Sequence, residues 1–98
     1  MQSKRVAWLR EDEKVNILKY NLDFTLAKQI ILNNLSISIE NIHGDNTYIG
    51  LTDDMKEVLY VYCIDEDGLS RIVIARRASA IEQNAFFDLI SGVNNEEN

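Results

Sequence analysis

The chain has 98 residues, 46% of them hydrophobic, which is enough for one small domain with a modest core and no need of metal or disulfide support. The formal net charge of −6 argues against a general nucleic-acid binder, although cations gather near both ends and leave room for one basic face. The lone cysteine, Cys63, cannot form an internal disulfide, and its apolar neighbours favour a core position over a reactive thiol.

The first third of the chain predicts helices. The stretch EDEKVNILKY places acids ahead of lysines, which complements a helix dipole, and puts Val15, Leu18 and Leu22 near one face. The stretch DFTLAKQIILNNL then repeats apolar residues at helical spacing. We expect two short helices or one broken helix here.

The middle of the chain changes to strand periods. SISIE alternates strictly, as a half-buried strand does, and TYIGL follows after a turn. EVLYVYCI is almost continuously apolar, as expected of a central strand covered on both faces, and LSRIVIAR runs back antiparallel. A further short strand at RVAWL is compatible with the pattern.

A third helix follows the last strand. Ser79 and Glu82 have the spacing of a capping box, in which each side chain bonds the other residue's backbone N–H. The stripe predicted to be buried consists of Ile81, Ala85, Phe86 and Leu89. The predicted fold is α+β, with two N-terminal helices, a four-stranded antiparallel sheet and a C-terminal helix.

Two collinear signatures carry a resemblance to a known family. The N-terminal one consists here of Trp8, Asp12, Lys14, Asn16, Lys19, Leu22, Phe24 and Ala27. The C-terminal one consists of Arg71, Ile72, Ala75, Arg76, Arg77, Ala78, Ser79, Glu82 and Phe86, with Gly50 matching between them. With these residues the chain resembles the BrnT toxins, small RelE-like ribonucleases of type II toxin–antitoxin systems. The resemblance implies a single BrnT-like domain over residues 1–91, followed by a polar tail over residues 92–98.

The resemblance also implies an activity and partners. The expected activity is metal-independent endoribonuclease cleavage of RNA, without a cofactor, in which the RNA's own 2′-OH attacks the neighbouring phosphate. The expected partner is a BrnA-like antitoxin protein, and operator DNA is contacted only through the antitoxin complex. We expect a cytoplasmic protein that does not bind membranes, because no apolar stretch approaches the roughly 20 residues of a membrane span and the start lacks a secretory apolar region.

The arginines near the end of the last strand are the first candidates for the chemistry. Arginine binds phosphate through a planar fork and stays charged, so we expect Arg76 to be central, Arg71 to support it and Arg77 to contact RNA. Strand alternation places Arg71 and Arg76 on opposite faces unless the strand bulges, twists or ends between them. For all three, the alternative is a surface arginine paired with an acid.

Two further residues are candidates for contacts with RNA. Lys19 lies at a predicted helix end and could bind RNA phosphates, although a solvated lysine is equally compatible with its position. His43 is the only histidine, and an imidazole ordinarily titrates near neutral pH, so it is a candidate acid or base. It lies in a turn, at a position where the family has an acid.

The chain departs from the family at functionally important positions. Tyr20 replaces a histidine and Asp45 replaces an arginine, so positive charge and proton-transfer capacity are lost. These losses favour an alternative, in which the chain is a catalytically weakened family member that acts as a protein-binding module. A DNA-binding module acting alone is disfavoured, because no predicted helix carries clustered cations.

Overall fold

The computed structural model describes residues 5–32, 35–40 and 43–92. In chain order the elements are β1 (Arg5–Trp8), α1 (Arg10–Tyr20), α2 (Phe24–Leu32), β2 (Ser36–Glu40), β3 (Asp45–Leu51), β4 (Val58–Glu66), β5 (Leu69–Arg77) and α3 (Ala80–Ser91). The strands form one five-stranded sheet in the order β1-β5-β4-β3-β2. Most of the predicted polar tail, residues 93–98, lies outside the described residues, and no described helix is long and apolar enough to cross a membrane.

The predicted four-stranded antiparallel sheet is wrong, although the α+β class holds. β1 adds a fifth strand and pairs parallel to β5, from Arg5 opposite Leu69 to Trp8 opposite Ile72, so the sheet is mixed. A four-residue strand has too few alternations to show its partner in the sequence. Trp8 holds β1 in position, because its ring packs edge-on against the buried ring of Phe24, with 6.0 Å between the two ring centroids.

Helices α1 and α2 cover one face of the sheet, which we call the covered face. Its buried core consists of Leu22, Phe24, Ala27, Ile30, Ile31, Tyr48, Leu59, Val61, Cys63, Ile72 and Ala75. The predicted inward stripe of α1 is wrong at two of its three positions, because Val15 is exposed and Leu18 is 88% exposed. The buried residue of α1 is polar, Asn16.

The side chain of Asn16 makes the backbone hydrogen bonds to β5 that a neighbouring strand would otherwise make. β1 ends opposite Ile72, and beyond that point the outer edge of β5 would have no backbone partner. The Asn16 side chain fills this role, because Nδ2 donates to Ala75 O at 2.8 Å and Oδ1 accepts from Ala75 N at 3.0 Å. Nδ2 also donates to Leu22 O at 3.0 Å, which fixes the chain where it leaves α1. One buried amide therefore attaches α1 to the sheet.

Gly50 permits the close approach of α2 to the sheet. A Cβ on this residue would lie 2.7 Å from Ser36 Cβ and 3.1 Å from Ile30 Cγ2, closer than side-chain carbons pack. The glycine therefore matters for the space around it, and its φ is ordinary.

α3 covers only part of the opposite face. Its buried residue, Phe86, packs with Ile49, Val58 and Ala78. The rest of the predicted stripe is wrong, since Ile81 is 81% exposed and Ala85 and Leu89 are exposed too. The helix crosses over β3 and β2 and packs with the start of β4 through the Phe86 cluster, so no described helix lies over the rest of the β4–β5 half of this face.

Candidate functional site

A β-bulge in β5 determines which side chains reach the uncovered half-face. Ile72 lies opposite Cys63, but Ile74 lies opposite Tyr62, so Val73 is an extra residue in β5. Such a residue shifts the alternation of all side chains beyond it by one position. Ile72 points to the covered face, and Ile74 points to the other one.

The bulge brings Arg71 and Arg76 to the same face of the sheet. Without it, strand alternation would place the two arginines on opposite faces. Arg71 lies opposite Ile64 and Arg76 opposite Tyr60. The two arginines are separated by four residues along β4, roughly 13 Å, and therefore flank this surface instead of converging on one atom. We call the surface the open sheet face, and its half-buried residues are Tyr60, Tyr62, Ile64, Arg71, Ile74 and Arg76.

Arg76 is the most strongly positioned residue on the open sheet face. Its guanidinium lies 3.9 Å from the centre of the Tyr60 ring, and its Nη1 and Nη2 donate to the two carboxylate oxygens of Glu82, each at 2.9 Å. Nη1 also donates to Arg77 O at 3.2 Å. An arginine has five N–H groups, so the Nε–H and one Nη2–H have no partner among the described residues. A flat, fixed guanidinium with free donors on one edge is suited to binding a phosphate.

Glu82 positions Arg76 and is a poor proton acceptor. The hydrogen bonds from Arg76, with those of the Ser79 backbone and side chain, lower its pKa from 4.5 to about 2. Ser79 N donates to Glu82 Oε1 at 2.8 Å and Glu82 N donates to Ser79 Oγ at 3.2 Å, so the predicted capping box is present. Glu82 therefore connects the start of α3 to Arg76, and through the same hydrogen bonds raises the pKa of Arg76.

Arg77 points away from Arg76 and connects three elements. Its Nε donates to Glu57 Oε1 at 2.7 Å, just before β4, and its Nη1 donates to Tyr20 O at 3.1 Å. Tyr20 is the last residue of α1, so the cation also complements the negative end of that helix dipole. This geometry gives Arg77 a structural role in addition to its predicted contact with RNA.

Arg71 is held more loosely than Arg76. Its Nη1 lies 3.7 Å from Asp12 Oδ2 and its Nε lies 3.8 Å from Glu66 Oε1, so both contacts are ion pairs too long for hydrogen bonds. Partly exposed pairs of this kind contribute little and open easily. Arg71 is therefore available to an anionic ligand at small cost.

Lys19 lies beside a cavity that adjoins the open sheet face at Ile74. The cavity has a volume of about 240 Å³ and is lined by Asp12, Val15, Asn16, Lys19, Tyr20, Val73 and Ile74. Lys19 Nζ is 5.7 Å from the centre of the Tyr20 ring and makes no ion pair within the described part of the chain. Its charge is therefore free to meet a ligand that enters from the open sheet face.

His43 lies far from Arg76. It is exposed in the turn before β3, six residues ahead of Ile49, which is opposite Tyr60 and so level with Arg76. From Asp45, where β3 begins, to Ile49 the strand already spans roughly 13 Å, and His43 lies before that strand, so the two predicted catalytic residues are not brought together. Asp45, two residues on, accepts a hydrogen bond from the Tyr62 hydroxyl at 2.5 Å, and this bond raises the pKa of Tyr62.

The structure adds two tyrosines that the sequence analysis did not single out. Tyr60 and Tyr62 lie on the open sheet face between the arginines, whereas Tyr48, on β3, is buried on the covered face. The signal was present in the i, i+2 spacing of the tyrosines within VLYVYCI, which puts both on one face of a strand. No group of three or more histidine, cysteine, aspartate or glutamate side chains in the described ranges is arranged to hold a metal ion.

Comparison with known proteins identifies the fold. No protein-family model and no curated protein matches the chain. The crystal structure of the ribonuclease toxin BrnT from Brucella abortus superposes with a TM-score of 0.65 at 16% sequence identity, covering 79% of this chain and 99% of that chain. The resemblance predicted from the sequence is thus confirmed at the level of the fold.

Proposed function

We propose that the chain is the toxin of a type II toxin–antitoxin system and cleaves RNA without a metal ion. The observation that carries the proposal is the fixed guanidinium of Arg76, stacked on Tyr60 and bonded to Glu82 on the open face of a fold shared with a ribonuclease toxin. We propose a BrnA-like antitoxin as the neutralising partner, contact with operator DNA only through that complex, and a cytoplasmic location.

The proposed reaction uses the nucleophile of the RNA itself. The 2′-OH gives its proton to solvent as its oxygen forms a bond to phosphorus, and the bond from phosphorus to the 5′-oxygen breaks. The products are a 2′,3′-cyclic phosphate and a 5′-oxygen that takes up a proton from solvent to become a hydroxyl. Negative charge grows on the phosphate oxygens during this step, and the free N–H groups of Arg76 would offset it. Arg71, roughly 13 Å away along the sheet, would bind a neighbouring phosphate.

The remaining predicted residues have supporting roles in the proposal. Lys19 and Arg77 lie at the same end of β5 as Arg76 and would contact the flanking RNA backbone. Tyr60 and Tyr62 offer aromatic rings near which unpaired bases can stack, which favours a single-stranded substrate. His43 would act only on RNA that extends past Arg71 to the far end of the sheet.

A second candidate function is a protein-binding module that has lost most of its catalysis. The observation that favours it is the pairing of every arginine of β5 with a carboxylate: Arg71 with Asp12 and Glu66, Arg76 with Glu82, and Arg77 with Glu57. RNA phosphates would have to compete with these acids. The net charge of −6 adds long-range repulsion.

RNA cleavage by the purified chain in EDTA separates the two candidates. We expect cleavage that persists in the chelator and falls about 100-fold in Arg76→Ala and Arg76→Lys, because lysine lacks the planar fork. Arg10→Ala removes an exposed arginine outside the site and is expected to retain full activity. No cleavage of free or ribosome-bound RNA by the folded protein would contradict the enzyme and favour the protein-binding module.

A further inference from the structure

The two edges of the sheet are finished differently. At one edge, the outermost strand β1 has only four residues and no described strand on its outer side, and the Asn16 amide satisfies the backbone of β5 where β1 ends. At the other edge, β2 pairs with β3 on one side only, and no described strand lies on its outer side. Natural sheets usually protect such an edge with charged side chains, proline or a bulge, and the only such feature in SISIE is Glu40, at the last position of the strand. We propose that a second copy of this chain pairs with the outer edge of β2 and forms a two-fold symmetric dimer.

The backbone of β2 points outward at the centre of the strand. Leu51 N donates to Leu35 O at 3.4 Å, which identifies this pair as hydrogen-bonded across the β2–β3 ladder. Antiparallel pairs alternate, so Ile37 and Ile39 also direct their N–H and C=O groups toward β3. Ser38 and Glu40 therefore direct theirs toward the open edge.

The strand is self-complementary about Ser38. If two copies pair antiparallel with Ser38 opposite Ser38 of the second copy, the central pair exchanges two backbone hydrogen bonds. Ile37 then lies opposite Ile39 of the second copy, and the reverse pair forms as well. These are non-hydrogen-bonded pairs, in which side chains approach most closely, so four isoleucines form one cluster across the two-fold axis.

The isoleucine cluster would continue onto α3. Ile37 packs against the Phe86 cluster, so Ile37 and Ile39 lie on the face that α3 crosses. α3 begins beside β4 and contacts β2, so its last turns lie toward the open edge. Leu89 and Ile90 in these turns are 63% and 45% exposed, and Ile39 is 48% exposed. Pairing of two copies would bury this apolar surface on both.

The charges of β2 are compatible with a second copy. The only charged residue of the strand is Glu40, which in this register lies opposite Ser36 of the second copy. The two Glu40 side chains are then four residues apart, roughly 13 Å, which exceeds the Debye length of about 8 Å at physiological salt. Parallel alignment in the same register would put them side by side, which is unfavourable. Since both copies are acidic overall, added salt should strengthen the dimer.

Sedimentation equilibrium of the full chain tests the dimer. A short strand and a few apolar side chains make a small interface, so we expect dissociation in the micromolar range, measured between about 1 and about 200 µM. Ile39→Lys should weaken the dimer about tenfold or more. Leu18→Lys makes the same change at a residue 88% exposed on α1 and should leave dissociation unchanged. A chain that stays monomeric throughout, or equal effects of the two lysines, would overturn the proposal.

Cysteine cross-linking tests the register itself. Oxidised Ser38→Cys should form a covalent dimer, because a hydrogen-bonded pair has Cα atoms about 5.5 Å apart, within disulfide range. Glu40→Cys should not, because its two copies are roughly 13 Å apart. Cys63 is buried and does not interfere. Equal cross-linking of both variants, or a dimer that forms only after deletion of residues 93–98, would overturn the proposed pairing.

Discussion

The two faces of the sheet are built from alternate residues of the same two strands. On the covered face, Leu59, Val61 and Ile72 are at most 1% exposed and pack under α1 and α2. On the open sheet face, Tyr60, Tyr62 and their neighbours in β5 remain half-buried. Burial stabilises the first face, whereas the second keeps rings and guanidinium groups within reach of a ligand.

The difference shows that an apolar run can serve two purposes at once. The sequence predicts EVLYVYCI as a strand covered on both faces, but from Leu59 to Ile64 only alternate residues are buried. β5 divides its residues in the same way, because Ile72 lies in the core, Arg71 beside it faces the open side, and the bulge at Val73 turns Arg76 to that side too. Substitutions on the covered face should therefore change stability, and those on the open sheet face should chiefly change function.

The largest effect on stability is expected where α1 contacts the edge of the covered face. Asn16→Leu removes three hydrogen bonds and leaves Ala75 N–H, Ala75 O and Leu22 O buried without partners. We expect the free energy of unfolding to fall by about 3 kcal/mol in urea denaturation. Asn84→Leu, on the exposed side of α3, should change it by less than about 0.5 kcal/mol. Equal losses would mean that Asn16 does not anchor the helix.

A smaller loss is expected for Gly50→Ala. The added methyl group would lie 2.7 Å from Ser36 Cβ, so β2 or α2 must shift. We expect a loss of about 2 kcal/mol in the free energy of unfolding, typical of overpacking. Gly92→Ala is the matched control, since among the described residues no atom beyond its chain neighbours lies within 4 Å of the added Cβ. A Gly50→Ala variant as stable as the wild type would show that α2 can move away freely.

On the open sheet face, the pair of Arg76 and Glu82 should contribute a modest, pH-dependent stability. Because folding lowers the pKa of Glu82 from 4.5 to about 2, its contribution is complete above pH 4.5 and is lost as the pH falls to 2. The side chains are 30% and 24% exposed, so solvent screening reduces the contribution to about 1 kcal/mol.

Urea denaturation between pH 2 and pH 6 measures this contribution, since those limits enclose the pKa change of Glu82 from 4.5 to about 2. Glu82→Gln should be less stable than wild type at the upper limit and should approach it at the lower one. Asp88→Asn, an exposed residue of the same helix, is the control and should show no such convergence. A constant difference between wild type and Glu82→Gln at every pH would contradict the assignment.

The smallest expected effect concerns Tyr62. Its hydrogen bond to Asp45 is the main cause of its raised pKa, so Asp45→Asn should lower that pKa toward the usual value of 10.0. Ultraviolet absorbance of the phenolate measures the change, and Tyr62→Phe identifies which of the four tyrosines is responsible. An unchanged titration in Asp45→Asn would show that the bond does not persist in solution.

The sequence by itself determined the local features of this protein. The spacing of Ser79 and Glu82 predicted the start of α3, the alternation in SISIE predicted β2, and the collinear signatures predicted the toxin fold. The first two depend on residues close together in the chain, where the strand period and the cap chemistry act directly, whereas the third is a resemblance carried by residues along most of the chain. The chemistry of the guanidinium group was enough to single out the arginines of β5 as candidates to bind phosphate.

Only the tertiary structure decided how these parts meet. The parallel pairing of β1, the extra residue at Val73 and the Asn16 amide at the edge of β5 all depend on partners distant in sequence. The carboxylate that holds Arg76 was predicted only as a helix cap, and the distance of His43 from Arg76 follows from the length of the strands between them. The register of strand pairing decides which face of the sheet a side chain occupies, and a single bulge moves every later side chain to the opposite face.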